Sequence, residues 1–359
     1  MATIKEGKLR YPLLNGREQQ DDDLKAVPID IEEPSDSYSL DRSSDFFLRK
    51  TKLQRIVIVA FSLFATLLLF FSFLCVKVLY RDYAEVNVLH VLIAQSTLLV
   101  IVVLLIAGVL RANLLLVPSD TIFLLFARCL IALIAAVLFL SSLRHVSLGK
   151  ATMMAHTSPV FAGLFAYVSL RETFRSADRF NIFFAFIGAA GVGYSAISHP
   201  EEEGDPDAQR FAMMVCSIAA VLTMYSNAQL RQINISAHCM TAPLFLGLTG
   251  TFVSALGVLL GGPGSFSAVL ALEARALYLL VVAAGASVLG VVILSWALQQ
   301  EKAAIVCACF YPLIAYGFVT DYVFLGRDFW WMDAAAAGVV FGGFLLTLII
   351  RFCEVGQRR

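Results

Sequence analysis

Hydrophobic and polar positions in this chain fall into long blocks and do not alternate at short period. Ten stretches are almost free of charge: 56–76, 91–110, 121–143, 151–170, 180–198, 211–230, 240–260, 276–298, 303–320 and 334–350. A helix needs about 20 apolar residues to cross a hydrocarbon core of ~30 Å, so each block predicts a transmembrane helix. A membrane barrel would show short alternating strands instead. The expected fold is an all-α integral membrane protein with ten transmembrane helices. The longest clear polar connection, 199–209, contains Glu201, Glu202, Glu203, Asp205 and Asp207 and divides the spans five and five. This predicts helical blocks at 52–199 and 210–351, an acidic linker at 200–209, and tails at 1–48 and 352–359.

Five is odd, so the second block must enter the bilayer upside down relative to the first. The sequence carries a matching order. Pro159 lies twelve positions after Ser147, and Pro312 twelve positions after Gln300. Each proline is followed by an aromatic-rich stretch, a charged turn, and an Asp (Asp178, Asp333) that opens a Gly- and Ala-rich segment. Two inverted five-helix repeats are expected, an architecture common among secondary transporters. A proline within a span removes a backbone hydrogen bond. Pro159 and Pro312 are therefore read as paired hinge or kink positions beside a central cavity, against the plainer reading of packing kinks.

Composition strengthens the membrane assignment. The chain is 59% hydrophobic and 15% charged, whereas soluble domains carry about 25% charged residues. Net charge is zero, which argues against nucleic acid as a partner. Residues 1–48 hold acidic runs and few core-forming side chains, so a disordered cytosolic tail is expected. The first apolar run begins near Ile56, too deep for a cleaved leader, and is read as an uncleaved anchor. If that tail is cytosolic, thirteen Lys and Arg flank helix ends on its side (Arg49, Lys50 and Arg171 among them) and seven on the other, including Lys77 and Arg144. The excess places both termini in the cytosol. Tyr11 to Leu14 fits a tyrosine-based sorting pattern, although four-residue patterns recur by chance, and Golgi, endolysosomal and plasma membranes all stay open.

The stretch from Ser142 to Phe161, continuing to Leu170, Arg171 and Glu172, resembles the EamA-type domain of drug/metabolite transporter proteins. The run from Ala297 to Ala304 looks like its second copy. The resemblance covers residues 54–351 and is nearest to the G subfamily of solute carrier family 35. It implies a transporter fold, and relatives that handle nucleotide sugars or organic anions. Two positions depart from the pattern. The family's acidic residue after the ninth helix is replaced in Leu325-Gly326-Arg327-Asp328, and Lys150 stands where an acidic or small residue is usual.

Arg128 is the sharpest candidate, since a charge inside a span costs roughly 2.5–3.5 kcal/mol on insertion scales. It either holds an anionic substrate group, or lies near the cytosolic interface, snorkels, or pairs structurally. Lys150 either steers anions at a mouth or snorkels. His156 is more often a satisfied core residue than a proton relay. Thr157 and Ser158 either line the pocket or bond carbonyls one turn back. Gln299, Gln300, Tyr311 and Tyr316 are the substrate-binding candidates of the second half. The pairs Gly257/Gly261 and Gly338/Gly342 permit close helix approach, first for internal packing and second for a homodimer. No metal or other cofactor is expected: no C-x-x-C pair, nucleotide-binding loop or soluble catalytic domain is present.

The function expected is a secondary carrier or exchanger for a small polar, anionic organic solute, working by alternating access, and not an enzyme. Its partners would be that solute and the lipid bilayer. The alternative is a non-transporting scaffold that recruits partners through its acidic tail.

Overall fold

The computed structural model describes residues 52–114, 117, 119–156, 176–198, 205–236, 238–260, 272–301, 305–306, 309–326 and 330–357. The 1–48 tail, Thr157, Ser158 and Pro159 lie outside the described residues. Among those described there are ten helices and no strand. They are α1 Lys52–Asp82, α2 Val88–Leu110, α3 Ser119–Ser142, α4 Leu148–His156 and α5 Ser176–Ser198 in the first half. The second half holds α6 Pro206–Ser236, α7 Thr241–Leu259, α8 Ala274–Gln300, α9 Pro312–Val323 and α10 Trp331–Gln357. Six of them, α1, α2, α3, α6, α7 and α8, are long and apolar enough to cross a membrane by length and composition.

Surface chemistry runs opposite to that of a soluble protein. Large apolar side chains such as Phe64, Leu105, Phe123, Phe252 and Leu259 are exposed, while Ser62, Thr66, Lys77, Arg128, Asp321 and Asp333 are buried. Lipid accepts the first set, and the second must find partners inside the protein.

Helix ends extend past the apolar blocks because local caps hold them. α6 starts five residues before its predicted span, with Pro206 at the first helical position and the Asp205 Oδ1 accepting the Asp207 N–H at 3.1 Å. The end of the acidic linker is thus a helix cap. At α2 the Asn87 N–H donates to His90 Nδ1 at 3.3 Å, and Arg111 closes the helix at φ 49° with its N–H turned back to Ala107 and Gly108. The predicted ninth span, 303–320, is not one continuous helix. A turn at 309–311 precedes α9, and Pro312 is its first residue, where a missing N–H costs nothing.

Residues 49–359 form one compact unit, because the most extensive packings all cross between the two halves. They are α1 with α8, α3 with α6, α2 with α7, α5 with α10, and α4 with α9. Glycines set the close approaches. A Cβ on Gly290 of α8 would lie 2.7 Å from Leu69 of α1, and one on Gly188 of α5 would lie 2.1 Å from Val340 of α10. The Gly338/Gly342 pair is corrected here: both face open space, and α10 meets α5 through Gly343 instead, where a Cβ would sit 2.6 Å from Phe184. Gly257 does face inward, toward Leu89, while Gly261 lies outside the described residues.

Candidate functional site

Arg128 lies in the third turn of α3 and is buried, 4% exposed. Its Nη1 donates to the Ala242 carbonyl in the first turn of α7 at 3.4 Å, a long bond, and Nε has no partner among the described residues. No carboxylate within ion-pair distance of it is described. The side chain therefore neither snorkels nor pairs with an acid there. It reaches toward α7, a helix the sequence reading did not assign to the site.

Lys150 stands at the opposite end of the bundle. Phe73 packs edge-on against Phe139 at 4.8 Å, and Lys77 Nζ donates to the Leu143 and Val146 carbonyls at 2.6 and 2.7 Å. These contacts run α1 parallel to α3 and set Arg128 level with Ser62, and the start of α4 level with Lys77. Fifteen residues of helix lie between those levels, about 22 Å at 1.5 Å per residue. Arg128 and Lys150 cannot share one charged group of a small solute. Lys150 is nevertheless buried, 9% exposed, and His156 ends α4 two turns deeper.

In the second half Gln299 and Gln300 are half-buried at the end of α8. Tyr311 is fully buried just ahead of α9. Tyr316 is 41% exposed and rests against Phe70, with ring centroids 6.0 Å apart. Thr66 of α1 donates to the Cys309 carbonyl at 3.2 Å, which puts the turn before Pro312 near the middle of α1.

Two functional groups escaped the sequence reading. Lys77, read there only as an orienting charge, ties down two carbonyls just past the end of α3, those of Leu143 and Val146. Asp321, in the last turns of α9, accepts the Leu148 and Gly149 N–H groups at the start of α4. It stands one residue past the predicted span 303–320, where a charge gives no signal of its own.

A surface cleft of about 240 Å³ opens at the Asp82 end, lined by Asn87, Val88, Leu89, Ser141, Arg144 and His145. Arg144 is committed there, donating to Val86 O and to Asn87 Oδ1 at 3.1 Å, and stacking 4.7 Å over Tyr80. None of the predicted site residues lines this cleft. At the same end, Tyr83 donates to Glu273 at 3.0 Å; burial first, then this carboxylate, raises its phenol above the ordinary range. Among the described residues, no three His, Cys, Asp or Glu side chains are grouped as metal ligands would be.

Residues 55–194 match the model of the EamA-like transporter family. No curated protein matches the chain. Among 28 matching chains of solved structures, one described only as "Crystal structure of protein" is 18% identical with a TM-score of 0.57. The match covers 81% of this chain and 98% of that one, so the likeness in fold extends well past residue 194. The chain is an integral, multi-pass membrane protein that carries a region similar to EamA-like transporters over residues 55–194.

Proposed function

We propose that this protein is a secondary transporter that moves a small, anionic organic solute by alternating access between two inverted five-helix repeats, 52–199 and 210–351. The observation that carries the reading is the set of helix pairings. Exchanging the first half for the second turns α1/α8 into α6/α3, and returns α2/α7, α4/α9 and α5/α10 to themselves. A two-fold axis in the membrane plane requires such a set. Antiparallel register in the self-paired helices supports it: in α2/α7, Leu89 lies against Gly257 and Val100 against Gly247.

In this reading Arg128 anchors the solute's negative group, since its guanidinium is buried and its Nε has no partner among the described residues. Lys150 serves the far mouth. His156, Thr157, Ser158, Gln299, Gln300, Tyr311 and Tyr316 are the proposed polar contacts to the solute, and Pro159 and Pro312 the proposed hinges. Both termini face the cytosol, on the excess of Lys and Arg at the Lys52 end. Kinship with the G subfamily of solute carrier family 35 belongs to the same proposal. Reconstitution into liposomes with labelled nucleotide sugars, organic carboxylates and amino acids tests it. Saturable uptake of an anion is expected, and a chain that moves only neutral or cationic members of the panel would remove the anionic assignment.

A further inference from the structure

The Asp321 carboxylate lies two residues before the end of α9, 3% exposed. Its Oδ1 accepts the Leu148 N–H at 3.1 Å and its Oδ2 accepts the Gly149 N–H at 2.5 Å. Helix α4 thus receives a charge-assisted cap from the other half of the chain, although caps ordinarily come from the residue just before the helix. The seam beneath is closed. A Cβ on Gly149 would lie 2.7 Å from Phe318 and 2.9 Å from Asp321, and one on Gly317 would lie 2.4 Å from Thr152 Oγ1 and 2.9 Å from the Gly149 Cα. Glycine at both positions lets the helices touch at backbone distance, leaving no room for solvent between them.

We infer that Asp321 is a latch: its two bonds across the halves hold the Asp82 end of the α4/α9 seam shut and must break whenever those helices part. The inference rests on the proposed movement of one half against the other, but its test needs no solute. Thr152, fully buried in the seam, is replaced by Cys in the full-length chain in proteoliposomes. A membrane-impermeant maleimide is then applied to each side in turn. Of the seven cysteines, Cys307 and Cys353 are replaced by Ser, and Cys75, Cys129, Cys216, Cys239 and Cys309 are buried, so the chain without Thr152→Cys reports any general loosening.

Asp321→Asn keeps the size and removes the charge. It is expected to raise labelling at Thr152→Cys about ten-fold from one side only, by shifting the population toward the parted state. Labelling of the chain without Thr152→Cys should not change. Unchanged labelling at Thr152→Cys overturns the latch, and so does an equal rise on both sides or at the native cysteines, which would make Asp321 a general support of the fold. If Asp321→Asn does not reach the membrane, amide exchange on the unmodified chain decides. Leu148 and Gly149 amides slowed about 100-fold relative to unbonded ones support the latch, and unprotected amides overturn it. A chain that carries none of the panel solutes can still pass or fail this test, so the two proposals fail separately.

Discussion

Two buried charges of opposite sign, Asp321 and Arg128, lie toward opposite ends of the bundle and are treated differently. At the Asp82 end, Asp321 uses both carboxylate oxygens on backbone amides, in a seam where two glycines bring α4 and α9 together. Toward the Lys52 end, Arg128 is equally buried, but its bond to the Ala242 carbonyl is long and its Nε is unpartnered among the described residues. Burying either charge in a membrane protein is costly. The first cost is met within the chain, by amides of the opposite half, as the latch requires. The second is met only in part, which suits a group whose remaining partner arrives with a solute. The degree of internal satisfaction, more than burial itself, separates a structural charge from a candidate binding charge.

This contrast can be broken in several ways. Arg128→Ala should have the largest effect. Loss of a hydrogen bond to a charged group is worth about 1.5–3 kcal/mol, so uptake in proteoliposomes should fall roughly 10- to 100-fold at unchanged membrane abundance. Arg128→Lys should recover only part of it, because a point charge replaces a planar fork. Full uptake by Arg128→Ala would end the distinction between the two charges. Gly317→Ala comes next. Its new Cβ would meet Thr152 and the Gly149 backbone, so a loss of about 1–3 kcal/mol should appear as a lower melting temperature in detergent. Lys77→Met removes the donor to the Leu143 and Val146 carbonyls, and a smaller loss of about 1–2 kcal/mol is expected in the same assay. Gly338→Ala should change stability by less than about 0.5 kcal/mol, since its Cβ points into open space. A larger loss would mean that this face is covered in solution, and the homodimer would return as its explanation.

Much of the architecture could be read from apolar run length. That property decides whether a segment prefers lipid to water, and it belongs to each segment alone. The runs at 56–76, 91–110, 121–143, 211–230, 240–260 and 276–298 each correspond to a membrane-length helix. The candidate site was less legible. Arg128 stood out because a charge interrupts an apolar run, but its contact with α7, 114 residues away, could not be read from that run. Asp321 was overlooked because it falls just past the end of the run at 303–320, where a charge is ordinary, and because its meaning depends on amides of α4 more than 170 residues distant.

By itself, then, the sequence determined the solvent of this protein: long uncharged runs must be helical in a bilayer, where every backbone group needs an internal partner. Only the tertiary structure decided which helix faces meet. Lipid is as apolar as a packed interior, so hydrophobic periodicity cannot tell an inward glycine from an outward one. Gly343 turns inward while Gly338 and Gly342 turn outward on the same helix, and Pro312 starts a helix that the apolar run had suggested it merely bends. Those choices are made by shape and by a few buried polar groups, and they exist only once the two halves have packed together.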